Sequence, residues 1–246
     1  MYKKIVCLSD QHIPYLDGKA NEAVFKFLKR FKPHKIKLLG DVIDFWQISS
    51  FLKDPSRITA IQADLDATKS YLARLRDTAP QADFTYLAGN HEDRMRKRIW
   101  KDAPWIASIR DMEVDKLLNL EGLKIKFYRE QTDVERDGEV LFTHGTIVSQ
   151  DSAMTARRML KKYGMSIIFG HVHRLGSYYE TKVGGAYGAW ENGCLCTPAL
   201  AREWRVGFPN WQQGFTVVYM TDKRFIVNQV FISEGELLWA GRVYKG

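Results

Sequence analysis

Apolar side chains recur along this chain with two periods, and each change of period marks an element. Residues 3–8 alternate and carry Ile5, Val6 and Leu8, which predicts a first strand ending in Ser9-Asp10-Gln11-His12. Residues 21–31 place Val24, Phe25, Phe27, Leu28 and Phe31 at helical spacing, and Pro33 closes that helix before a strand over 35–39. Strand, helix, strand opens a parallel sheet. A long amphipathic helix is predicted over 58–76, ended near Pro80, and a third strand over 84–88 runs into Gly89-Asn90-His91-Glu92.

The pattern then changes. Residues 93–120 are basic, then acidic, with Trp100 and Trp105 around Pro104, and read as short helices inserted above the strand ends. We expect this stretch to be a cap-like insertion in a single domain spanning 1–246. Further strands are expected over 123–128, 140–143 and 166–169, with a helix over 154–163 between the last two. From 177 to 244 the chain is punctuated by glycine, with strands expected over 178–183, 215–220, 225–231 and 237–239. These predict a mostly antiparallel second sheet that completes a sandwich.

At 246 residues with 45% hydrophobic content the chain can bury the core of one α/β domain. No apolar stretch approaches the length of a membrane span, and the first ten residues turn polar too early for a signal peptide, so a cytoplasmic location is expected. Three cysteines, Cys7, Cys194 and Cys196, an odd number without a C-x-x-C pair, argue against a disulfide framework. Cys194 and Cys196 would share one face of a strand, as packed thiols or as metal donors. The formal net charge is +8, concentrated in 26–37, 94–101 and 157–162, which favours anionic partners or simply keeps helix faces solvated.

The chemistry lies at the strand ends. Of six histidines, His12, His91, His144, His171 and His173 fall immediately after predicted strands, beside Gly, Asp or Asn; His34 does not. The apolar run Leu38-Leu39 stops at Gly40 and presents Asp41 and Asp44, where open α/β sheets bind their ligands. Imidazole, carboxylate and amide groups gathered at one sheet edge point to a metal site.

These residues resemble the calcineurin-like metallophosphoesterases, whose pattern is D-x-H, G-D-x-x-D, G-N-H-[DE], G-H and G-H-x-H. Here it reads Asp10-Gln11-His12, Gly40-Asp41-Val42-Ile43-Asp44, Gly89-Asn90-His91-Glu92, His144 and Gly170-His171-Val172-His173. Thr143 replaces the usual glycine before His144. Phe45-Trp46 stand where the Ser/Thr phosphoprotein phosphatases have Arg-Gly, which argues against that subgroup.

The resemblance implies a four-layer αββα sandwich of two mixed sheets with a small helical cap. It also implies two divalent transition-metal ions, one on Asp10, His12, Asp41 and His173, the other on Asp41, Asn90, His144 and His171, with Asp41 bridging. Such donors do not choose among manganese, iron, zinc and nickel; manganese is the ion expected first. A hydroxide bridging the ions would attack phosphorus, His91 would protonate the leaving oxygen or bond the phosphate, and Asp44 would orient His91. Arg94 and Arg174 are candidates for substrate contact, or partners of carboxylates such as Glu92. The run from Trp204 to Trp211 would stack on bases, line a pocket or pack in the core.

The basic balance favours a phosphodiesterase on a polyanion, a nuclease included. The alternatives are a phosphomonoesterase acting on a nucleotide or phosphoprotein, and a non-catalytic binding module on the same fold. The sequence leaves the oligomeric state open.

Overall fold

The computed structural model describes residues 2–52, 60–200, 209–221 and 223–246. The amino-terminal half is built as predicted: β1 (Lys3–Leu8), α1 (Gly18–Phe31), β2 (Lys35–Leu38), α2 (Ile61–Thr78) and β3 (Asp83–Leu87). Helix α1 starts three residues before the apolar periodicity does, because the Asp17 carboxylate caps it by accepting from the Ala20 amide at 2.9 Å. The expected start of α2 at Ile58 lies outside the described residues.

Short helices α3 (Asp93–Asp102) and α4 (Val114–Leu117) lead from β3 into β4 (Ile125–Tyr128). Then come β5 (Glu135–Asp137), β6 (Val140–Thr143), α5 (Met154–Tyr163), β7 (Ser166–Phe169), β8 (Leu175–Lys182) and β9 (Gly185–Asn192). The chain ends in β10 (Gly214–Met220), β11 (Phe225–Ser233), β12 (Glu236–Trp239) and β13 (Arg242–Lys245).

Two sheets stack face to face. The larger runs β13-β12-β11-β10-β1-β2-β3-β4 and the smaller β5-β6-β7-β9-β8. The expectation of a second sheet made from the carboxyl-terminal strands needs correction. Strands β8 and β9 do join the smaller sheet, but β10 pairs antiparallel with β1 from Lys3↔Met220 to Cys7↔Thr216, so β10 to β13 extend the first sheet instead. The smaller sheet is organised by the parallel trio β6, β7 and β9, with antiparallel β5 and β8 at its edges.

Three apolar layers hold four structural layers together. Val6, Leu8, Ile36 and Leu38 face α1 and α2, where Phe27, Leu28, Leu72 and Leu75 are buried against them. Ile5 and Cys7, on the alternate face of β1, pack with Leu39, Phe142, Ile168 and Trp190 between the sheets. Met159 and Leu160 of α5 pack on Ile167 and Phe169. This is an αββα sandwich in which β1 is buried on both faces, so Ile5 to Leu8 form a continuous apolar run rather than the alternation expected.

Strands β1, β2 and β3 are mutually parallel, as are β6 and β7, so their carboxyl ends gather along one edge. That edge collects the polar loops singled out above.

Candidate metal centre

Asp10 and His12 follow β1, Asp41 and Asp44 follow β2, Asn90 and His91 follow β3, His144 follows β6, and His171 and His173 follow β7. The loops reach one another because main-chain pairing continues past the strands: the Asp10 and His12 amides donate to the Gly40 and Asp41 carbonyls at 3.0 and 2.9 Å. Asp10, His12, Asp41, His171 and His173 all have positive φ, between 48° and 73°. Side chains rarely adopt that region unless the surroundings hold them there, and such strain concentrates at functional sites.

Two donor groups result. In the first, His12 Nε2 and His173 Nε2 lie 3.0 Å apart, and His173 Nε2 is 3.2 Å from Asp10 Oδ1. In the second, His144 Nε2 lies 3.1 Å from both Asn90 Oδ1 and His171 Nδ1, and 3.3 Å from Asp41 Oδ2. That same Asp41 oxygen is 3.9 Å from His12 Nε2, so it stands between the groups. His144 is oriented from behind, its Nδ1 donating to the Leu39 carbonyl at 2.7 Å, which turns Nε2 inward.

The approach is close enough to demand glycine. A Cβ on Gly89 would meet Asp41 Oδ1 at 2.1 Å, and one on Gly40 would meet His144 Nδ1 at 2.5 Å. Both glycines precede a residue of the site, which accounts for their place in the motifs.

Charge and burial set the protonation pattern. Burial alone would raise Asp41 and lower His144. Their mutual attraction wins, holding the carboxyl well below its usual range and lifting the imidazole to about 9. Burial, with the positive field of neighbouring histidines, lowers His12 and His171 to about 4, the neutral form that can donate a lone pair.

His91 sits against both groups without joining either. Its amide donates to Asp41 Oδ1 at 2.9 Å, and its Nδ1 is 2.9 Å from the Asp44 carbonyl. Arg94 donates to Nε2 at 2.9 Å, placing the ring proton of the neutral form at Nδ1. Burial and the Arg94 cation oppose charge on this ring, but Asp41 and Asp44 outweigh them and raise its pKa. Asp44 therefore does reach His91, through its main chain at 2.9 Å and its Oδ2 at 3.4 Å. The same Oδ2 is closer to His12 Nδ1, at 3.2 Å, so one carboxylate steadies two rings.

The two arginines separate. Arg94 is half-buried beside Asp44 and His91, within the site. Arg174 is 5% exposed and turned away, its guanidinium donating to the Ser149 and Gln150 carbonyls at 2.5 and 2.6 Å, with Glu191 3.6 Å off. It fastens the loop before α5. Of the aromatic run, Trp204 to Phe208 lie outside the described residues, while Trp211 meets the His173 ring edge-on at 4.3 Å between centroids.

Glu92 carries a role that sequence reasoning did not assign. Its Oε2 accepts from the Asp41 and Gly89 amides at 3.0 and 2.6 Å, and its Oε1 from the Val42 amide and the Tyr86 hydroxyl at 2.9 and 2.5 Å. One buried carboxylate thus fixes the turn that presents Asp41. The only sequence signal was its fixed place after Gly89-Asn90-His91.

A family model described as calcineurin-like phosphoesterase matches residues 3–175, from β1 past the last of these histidines. The chain belongs to the calcineurin-like phosphoesterases. The Gene 54 proteins of Mycobacterium phages D29 and L5 are 29% identical over 255 residues and 28% identical over 258, each comparison covering 100% of both chains. The structure of Vacuolar Protein Sorting 29 from Cryptosporidium parvum superposes with a TM-score of 0.51 at 13% identity, covering 100% of this chain and 97% of that one, a likeness of fold. Membership makes the chain a phosphoesterase by family, and its histidine and aspartate groups are ones that could bind metal.

Proposed function

We propose that this phosphoesterase hydrolyses phosphodiester bonds with two divalent transition-metal ions, manganese first among them. Asp10, His12, Asp41 and His173 would hold one ion, and Asp41, Asn90, His144 and His171 the other. The observation that carries this reading is the position of Asp41 Oδ2 between two groups whose ring nitrogens converge, at 3.3 Å from His144 and 3.9 Å from His12. Oxygen and imidazole nitrogen in these groups suit manganese, iron, zinc or nickel. When bound, such ions supply Lewis acidity toward phosphoryl oxygens and an activated water.

The chain's own residues do the rest. His91, its pKa raised by Asp41 and Asp44, is a proton donor for the leaving oxygen or a hydrogen-bond donor to the phosphate. Asp44 fixes the direction of that ring and of His12. Arg94 brings a cation to a non-bridging oxygen. Asn90 and His171 keep some exposure, so substrate would approach from their side. The insertion over 93–120 would border that approach; Lys97 and Arg98 pair with Asp93 and Asp102, and the excess of basic over acidic residues on α3 supplies the positive field that favours a polyanion such as nucleic acid.

A non-catalytic binding module is the weaker reading, because none of the candidate donor residues, nor His91, is replaced in this chain. No helix among the described residues is long and apolar enough to cross a membrane. The three free, buried thiols fit a reducing compartment, and we place the protein in the cytoplasm.

The test is hydrolysis of bis-(p-nitrophenyl) phosphate and of the monoester by chelator-stripped protein, with manganese, nickel, zinc or buffer added back. Metal-restored diester cleavage is expected. Cleavage of the monoester alone would replace this reading with a phosphomonoesterase, and silence on both would overturn it.

A further inference from the structure

The segment Cys194-Leu195-Cys196 runs extended beside the first donor group, tied to it through the main chain. The Leu195 and Cys196 amides donate to the Asp10 carbonyl at 3.1 and 3.0 Å. The Cys194 amide donates to the Gln212 carbonyl at 3.1 Å, and the Gln212 amide donates to the His173 carbonyl at 2.8 Å. Alternation along this stretch sends Leu195 into the main core and both sulfurs to the opposite face, where they pack with Leu200, Tyr15 and Trp211. All three cysteines are buried, yet only these two share a site; Cys7 lies between the sheets.

On that face a ring nitrogen of His173 and the sulfurs of Cys194 and Cys196 all lie within 4.8 Å of one another. Two thiolates and an imidazole are the donors that select thiophilic divalent ions over the harder ions suited to carboxylate. Without an ion the Cys194 thiol donates to the Gln212 carbonyl at 3.6 Å, a weak bond. A C-x-C pair set against a histidine supplies three of the four donors that a tetrahedral ion takes.

We propose that Cys194, Cys196 and His173 form a separate site for a thiophilic divalent ion of the zinc and cadmium class. Binding deprotonates both thiols: two Cys–SH and one divalent ion give a dithiolate complex and two protons. His173 belongs also to the Asp10 and His12 group, so the two sites would share one ring.

The probe is cadmium alone, titrated into the full-length, chelator-stripped protein while thiolate-to-cadmium charge-transfer absorption and proton release are followed. The band should appear and saturate. It should persist in Cys7→Ser and in Asp41→Asn, and vanish in Cys194→Ser/Cys196→Ser. If the double variant does not fold, Cys196→Ser alone should weaken cadmium binding at least about tenfold, the loss that mutating even an outer partner of a metal ligand brings. No band in the wild type at saturating cadmium, or an undiminished band in the serine variants, overturns the site. Retention in Asp41→Asn keeps this outcome distinct from the fate of the two-ion reading.

Discussion

Replacing Glu92 with glutamine tests whether one buried carboxylate holds the Asp41 turn in place. The substitution keeps shape and volume but turns one acceptor oxygen into an NH2 donor. At the Oε2 position that donor would face two amides, of Asp41 and Gly89. At the Oε1 position it would face the Val42 amide and the Tyr86 hydroxyl, and only the hydroxyl can rotate to accept. The second orientation is therefore cheaper. It still strands the Val42 amide, loses the longer 3.4 Å contact of the Ile43 amide, and removes the charge that strengthens the remaining bonds, for a total of about 3 kcal/mol.

For a chain of this length that corresponds to a fall in Tm of about 10 °C. The measurement is thermal unfolding of the stripped protein, so that lost metal does not enter, followed by metal titration of the folded variant. Weakened metal binding should accompany the lower Tm, since the turn that presents Asp41 has lost its clamp. Tyr86→Phe, which removes one donor and strands none, should cost only about 1 kcal/mol. A Glu92→Gln protein melting within about 2 °C of wild type and binding metal normally would refute the clamp.

Two other predictions follow from the same geometry. His91→Ala should retain both ions while turnover falls by roughly 10²- to 10⁴-fold, the loss typical of a missing general acid; unchanged turnover would remove His91 from the chemistry. His144 has its pKa raised from 6.5 to about 9, so in stripped protein the stability it contributes is full below 6.5 and lost as pH rises through 9, at most roughly 3 kcal/mol. Metal requires the neutral ring, so affinity for manganese should rise over the same interval with release of a proton; Tm of stripped and loaded protein across that window checks both signs, and stripped protein that grew more stable with alkali would contradict the assignment.

Much of this architecture was legible because it is written locally. The strands over Lys3–Leu8, Val140–Thr143 and Ser166–Phe169 and the helix over Met154–Tyr163 have the expected bounds, each being a strong apolar period closed by a polar motif. Strand β5 was not foreseen, since Glu135-Arg136-Asp137 has no apolar residue; it is held by pairing with β6 and by the ion pair of Glu135 with Lys37 at 2.7 Å. Strand β9 opens on Gly185 with a second glycine at 188, and its evidence is the ladder with β8. The return of β10 to β1 is a pairing across two hundred residues, which no window of sequence contains.

The site divides the same way. Motif residues at strand ends converge because parallel strands put their carboxyl ends together. Glu92 escaped because the partners that give it its role, the Asp41 and Val42 amides, lie 51 and 50 residues away. Arg174 stands next to a motif residue, yet adjacency in sequence did not fix its direction: Glu191 and the loop before α5 claimed it.

The central claim is that Asp41 joins two ion sites, and the most direct measurement is the number of ions bound per chain. Stripped wild type dialysed against manganese and read by elemental analysis should hold two equivalents, and Asp41→Asn under the same conditions should lose metal together with diester cleavage. A wild type that binds one ion or none, or an Asp41→Asn protein that still holds two, would contradict it.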